Sequence, residues 1–274
     1  MRDVIAAMRT LGEMLQSLVS RLMDDLVRQE NALLSYPRAS EVGRRLPLVH
    51  RTCKPGAETQ WTEVLRTRTF ASGEPCTGDR EKAGGIPRAA YFFLGCGAYP
   101  DGLVGFVLDT PSVVTRPASY TPFDSGSIER HAVPTDLARA EAWDEAAKDH
   151  FLAEHVGAGS DLADFAGPYL ATHFRDPMAY VLLGQQSTPD FPAYHGLEST
   201  SGDRRAWTIE VQVHKDVPFD AGGATLTEIV VARPSLIEDL PEDLKRLARV
   251  ATPENEVLES IAAGIAMRIE AEVA

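Results

Sequence analysis

Three strand-end clusters and one cysteine hold the side chains able to do chemistry. His50 and Thr52 close an apolar run as H-x-T in LPLVHRT, and Tyr91-Phe92 follow a Gly-Gly loop in AGGIPRAAYFFLG. Glu228 sits in LTEIVV just before Arg233-Pro234, and Glu210 lies in AWTIEVQVH. A histidine and a hydroxyl at a strand end can hold a ligand by hydrogen bonds. A tyrosine ring can stack on a planar group, and a carboxylate can stabilise developing positive charge. Cys96, between two glycines, could act as a nucleophile with His50 as its base, or simply fill a small space at a strand end. Metal chemistry is not indicated. The seven histidines are scattered, His150 and His155 are five apart rather than four, and no CxxC pair or HExxH occurs. No GxGxxG follows a strand, and neither a Walker A sequence nor GxSxG is present.

The elements that must position these residues follow from periodicity. Val4, Met8, Leu11, Leu15, Leu18 and Leu22 alternate steps of four and three, and Met14, Val19, Met23 and Leu26 widen the stripe. This predicts an N-terminal helix over residues 1–36, ended by Tyr36-Pro37. About three heptads suit either packing on the rest of the chain or pairing, as a homodimer or with a partner helix. LPLVHRT then reads as a strand and AETQWTEVLRTRTF as a helix with Trp61, Val64 and Leu65 on one face. SGEPCTGDREKAGGIP is a polar loop, RAAYFFLGCG and LVGFVLD are strands around a YPDG turn, and RPASYTPFDSGSI is a loop without periodicity. Residues from about 134 to 183 are helical in composition. AWTIEVQVH and TLTEIVV read as strands, and strict alternation puts Thr208, Glu210, Gln212 and His214 on one side of the first. LPEDLKRLARV and PENEVLESIAAGIAMRIEAEV read as closing helices. Strands before and after a helical block predict an α+β domain over 37–274 with a mixed or antiparallel sheet, not a doubly wound fold.

The three strand-end clusters, in this order, resemble the His-Tyr-Glu branch of the ADP-ribosyltransferase superfamily, which includes the poly(ADP-ribose) polymerase-like and diphtheria-toxin-like enzymes. That branch carries H-G-[TS], G-x-Y-F and a glutamate in an N-E-Y-[IV]-V-like strand; this chain has H-R-T, A-A-Y-F and T-E-I-V. The resemblance implies a split sheet of ADP-ribosyltransferase type and NAD as substrate. His50, Arg51 and Thr52 would position the dinucleotide, with Tyr91 stacking on nicotinamide beside Phe92. Glu228 would bond the ribose 2′-hydroxyl and stabilise the oxocarbenium-like transition state, with Glu210 as the reserve carboxylate. Tyr120, Phe123 and Asp124 of SYTPFDSGSI would line the pocket, or form an ordinary turn. No metal is implied. Two departures stand out: Arg51 replaces the family's glycine, and the long span from Tyr91 to Glu228 makes the block at about 134–183 an insertion. A NAD glycohydrolase is the close variant, and family habit suggests a toxin or defence effector. The contrasting class is a non-catalytic interaction protein acting through its first helix.

Bulk properties narrow the partners. A chain of 274 residues, 44% hydrophobic, can bury a core large enough for a pocket. A net charge of −13 disfavours phosphate backbones, so a protein or small-molecule acceptor is expected over nucleic acid. Three cysteines without framework spacing suit a reducing cytoplasm. The charge-broken N-terminus has neither a signal core nor a membrane span.

Overall fold

The structure is a computed structural model that describes residues 16, 19, 23, 26, 36–52, 58–73, 86, 88–95, 97, 102–130, 132–134, 136–174, 176–182, 197–199, 204–219, 222–251 and 257–273. It is an α+β fold around an eight-stranded mixed sheet in the order β12-β11-β4-β1-β3-β9-β5-β7. The central strands are β1 (Leu48–Thr52), β3 (Ala90–Leu94), β4 (Val104–Leu108), β9 (Glu210–Val213) and β11 (Leu226–Val231). β3, β4 and most of β11 are apolar runs, β1 is apolar until it ends in His-Arg-Thr, and β9 alternates polar and apolar residues. All their pairings are antiparallel, and only β12 (Ala248–Val250) runs parallel to β11. Two further two-stranded sheets pair β2 (Thr69–Phe70) with β10 (Val217–Pro218), and β6 (Ala132–Pro134) with β8 (Leu197–Ser199).

Alternation along the strands separates two faces. On one, Phe70, Phe92, Phe106 and Phe219 pack at centroid distances of 5.2 to 5.4 Å. The helix α2 (Glu58–Thr67) adds buried Trp61 and Leu65 to the same core. The other face carries the C-terminal helix α11 (Val257–Val273), which lies on β4 and β11. Gly105 permits this approach, since a Cβ there would lie 2.4 Å from Ile261 Cδ1.

Four elements depart from the sequence-based expectation. The chain is helical over residues 36–45 (α1), a helix that the sequence-based expectation does not include. Ala39 and Val42 are buried there, and Gly43 lies against the backbone of Gly167. RPASYTPFDSGSI is not all loop: it holds β5 (Ala118–Thr121) and a helical turn, Ser127–Arg130 (α4), α3 being Thr110–Val114. LPEDLKRLARV makes only one helical turn before β12. AWTIEVQVH is a strand only over Glu210–Val213, preceded by a single tight turn at Arg204–Ala206. The helical block at 134–183 is present as expected and comprises α5 (Leu137–Glu141), α6 (Glu145–His155), α7 (Leu162–His173) and α8 (Pro177–Leu182). It supplies Tyr169, Leu170, Tyr180 and Val181 to the main core and an edge strand, β7 (Gly157–Ala158), to the sheet.

The described N-terminal positions 16, 19, 23 and 26 are helical, and Val19, Met23 and Leu26 are exposed. Cys53, Cys76, Cys96 and the first three residues of the YPDG turn lie outside the described residues. Among the described residues, no helix is long and apolar enough to cross a membrane.

Candidate functional site

The sheet forks between β1 and β3. The two strands pair at Leu48–Leu94 and Val49–Phe93 and then part. β1 continues against β4 as far as Thr52–Val104, while β3 continues against β9 as far as Ala90–Val213. His50 and Tyr91 stand one on each side of this fork, and both are only partly buried. His50 Nδ1 lies 2.8 Å from the Tyr91 carbonyl oxygen. A carbonyl can only accept, so Nδ1 carries the proton and the neutral ring leaves Nε2 as an acceptor. The ring packs against Phe70, Phe92 and Phe106 at 4.7, 5.4 and 6.4 Å. Burial in this aromatic setting lowers the His50 pKa to about 4, although the Tyr91 carbonyl works in the opposite direction.

Register decides which candidates meet. Across the sheet one row runs Glu228, Val107, Val49, Phe93, Glu210, Thr121. Two positions along, Tyr91 pairs with Gln212 and Gln212 with Ser119. Strand alternation therefore places Tyr91, Glu210, Gln212, Ser119, Thr121 and Glu228 on one face, and His50 with Phe92 and Phe106 on the other. The expected convergence of His50, Tyr91 and Glu228 on one cleft does not occur. Glu228 and Tyr91 share a face but lie three strand spacings apart, roughly 14 Å.

Glu228 is also engaged elsewhere. Its carboxylate accepts from Arg249 Nε and, at 2.8 Å, from Arg268 Nη1, with only 10% of its side chain exposed. Arg249 in turn donates to the Ser260 carbonyl on α11. This cluster fastens α11 to β11 and β12.

Glu210, the reserve carboxylate, belongs to a buried polar row. It is 4% exposed. Gln212 Nε2 donates to its Oε1 at 2.7 Å, Ser125 Oγ at 2.8 Å, and the Ser125 amide at 3.4 Å. Ser119 Oγ touches both Gln212 Oε1 and His214 Nε2 at 2.9 Å. Gln212 Nε2 also reaches Thr121 Oγ1 at 3.0 Å. Tyr91, the register partner of Gln212, is the diagonal neighbour of Glu210, about 7 to 8 Å away between backbones. Ser119 and Thr121 are the residues sequence reasoning missed. Their strand is only four residues long and flanked by Pro117 and Pro122, so no periodicity marks it.

The remaining candidates are core residues. Phe92 is fully buried, Tyr120 packs on Phe165 with tilted rings at 4.6 Å, and Phe123 packs on Phe151 at 5.6 Å in a second small core with Ile86, Ile128 and Leu152. All three side chains are buried. Asp124 accepts from the Gly126 amide at 2.8 Å, the ordinary turn anticipated as the alternative. The Arg51 and Thr52 backbones pair with Gly105 and Val104; their side chains lie outside the described part. Among the described residues, no group of three or more His, Cys, Asp or Glu could hold a metal. In comparisons with protein-family models, curated proteins and solved structures, no match to this chain is found.

Proposed function

We propose that this chain cleaves NAD⁺ at the nicotinamide–ribose bond, with Glu210 rather than Glu228 as the carboxylate. The observation that carries this reading is a buried, hydrogen-bonded glutamate one strand from Tyr91, on the same sheet face, beside a fork between β1 and β3. A fork of this kind is what a split sheet of ADP-ribosyltransferase type requires. Tyr91 stacks on nicotinamide, and Glu210 stabilises the ribosyl cation as the C1′–N bond breaks. The bonding pair leaves on nicotinamide, which departs neutral. The acceptor, a nucleophilic group of a protein or small molecule, bonds C1′ and loses its proton; with water the outcome is NAD hydrolysis. His50 does not touch this face; it fixes β3 through the Tyr91 carbonyl. A cytoplasmic toxin or defence effector fits such an activity.

Nicotinamide release from NAD⁺ tests the reading. Glu210→Gln lowers the rate by about 100-fold or more, whereas Glu228→Gln keeps it within about threefold below its melting temperature, as expected of a residue outside the site. Absence of release by the wild type, with protein and small-molecule acceptors supplied, overturns it. A second reading, a binding role for the N-terminal helix, is favoured by the exposed Val19, Met23 and Leu26; light scattering that shows only monomer, alone and with lysate proteins, removes it.

A further inference from the structure

Hydrogen bookkeeping fixes the direction of every bond in the row that leads to Glu210. Thr121 Oγ1 gives its one proton to the Phe123 carbonyl at 2.7 Å. It must therefore accept from its other neighbour, so the amide nitrogen of Gln212, not its oxygen, faces Thr121. That nitrogen then has its second hydrogen directed at Glu210 Oε1. Gln212 Oε1 consequently faces Ser119 and accepts the Ser119 proton. Ser119 can then only accept from His214, which holds the proton on Nε2. Turning the amide over would set its oxygen against Glu210 Oε1, two acceptors 2.7 Å apart in a dry interior. Ser119, Thr121, Glu210 and Gln212 are all at most 4% exposed, so water does not relax the constraint. His214 is partly exposed and ends the chain at the surface.

We propose that Gln212 is a positioning residue: locked in one amide orientation by Ser119 and Thr121, it aims a hydrogen at Glu210 and fixes the direction of that carboxylate beside Tyr91. The proposal rests on Glu210 serving as the carboxylate of the reaction, but its geometry is testable without turnover. The donors run from His214 through Ser119 and Gln212 to Glu210, with a side branch in which Gln212 donates to Thr121 and Thr121 to the Phe123 carbonyl. Ser125, from the loop after β5, completes the clamp on the same oxygen.

Gln212→Glu distinguishes positioning from packing. It sets a second carboxyl against Glu210, and two carboxyls in contact share one proton. Both effects follow from a raised pKa in the folded state. Stability of the variant is then highest at acid pH and is lost as pH rises, so its melting temperature relative to wild type drops by about 5 °C or more between pH 5 and pH 8. The acid limb of its nicotinamide-release profile also moves up by about one pH unit. Gln212→Ala lowers kcat by roughly 30-fold or more with KM within about threefold. Ser119→Ala lowers kcat by about tenfold, and Ser119→Thr, which keeps the hydroxyl, restores it. A melting difference between Gln212→Glu and wild type that is flat from pH 5 to pH 8 overturns the proposal. So does a Ser119→Thr protein as impaired as Ser119→Ala. If wild type releases no nicotinamide, the functional reading fails by itself, and the melting comparison still decides whether Gln212 faces Glu210.

Discussion

Glu228→Ala separates a structural carboxylate from a catalytic one. The side chain is 10% exposed and joins Arg249 of β12 and Arg268 of α11. Removing one partner of a buried ion pair costs about 3 to 5 kcal/mol when the other is left dry. Here the arginines are 34% and 47% exposed, so both can recover part of their hydration. About 2 to 3 kcal/mol is the reasonable remainder. For a chain of this length about 1 kcal/mol corresponds to roughly 2 °C, so the melting temperature falls by roughly 4 to 6 °C. Thermal melting followed by circular dichroism reads this directly, and nicotinamide release at 20 °C reads the folded protein's activity. Arg268→Ala, which leaves Glu228 paired with Arg249, costs less, about 1 kcal/mol. An unchanged melting temperature in Glu228→Ala refutes the clamp. A folded Glu228→Ala protein that has lost turnover refutes the reassignment of the carboxylate to Glu210.

Two further outcomes follow from the same contacts. His50 has a pKa of about 4 in the folded protein against about 6.5 unfolded, so the unfolded chain binds the extra proton between those values. Stability is full above about pH 6.5 and falls as pH drops toward 4, by about 2 to 3 kcal/mol; His50→Leu flattens that part of the melting-temperature profile, and an unchanged profile contradicts the assignment. Tyr180 donates to the Leu94 carbonyl at 2.8 Å and accepts from the Ile209 amide at 3.0 Å, bridging β3 to the residue before β9. Tyr180→Phe leaves both buried groups without this partner and costs about 1 to 3 kcal/mol by urea unfolding.

Much of the fold was legible in the residues. The strands of LPLVHRT, RAAYFFLGCG, LVGFVLD and TLTEIVV are apolar runs between breakers, and their existence needs no tertiary information. Alternation in AWTIEVQVH also placed Glu210, Gln212 and His214 on one side, which Ser119 confirms by bonding to both Gln212 and His214. What alternation within one strand cannot give is parity between strands. His50 and Tyr91 lie on opposite faces because Val49 pairs with Phe93, and a shift of one residue would have reversed that. The partners of Glu228 were hidden for a related reason. Arg249 and Arg268 are 21 and 40 residues away, and only the docking of α11 on β11 brings them together. Ser119 and Thr121 were hidden because polar residues flanked by prolines look like a turn until a buried network gives them partners.

The account turns on which glutamate acts, and one side-by-side measurement tests it most directly. Nicotinamide release from NAD⁺ is followed for wild type, Glu210→Gln and Glu228→Gln at a temperature where all three are folded. The prediction is a loss of about 100-fold or more in Glu210→Gln with Glu228→Gln within about threefold of wild type. Equal activity in Glu210→Gln and wild type, or loss confined to Glu228→Gln, contradicts it.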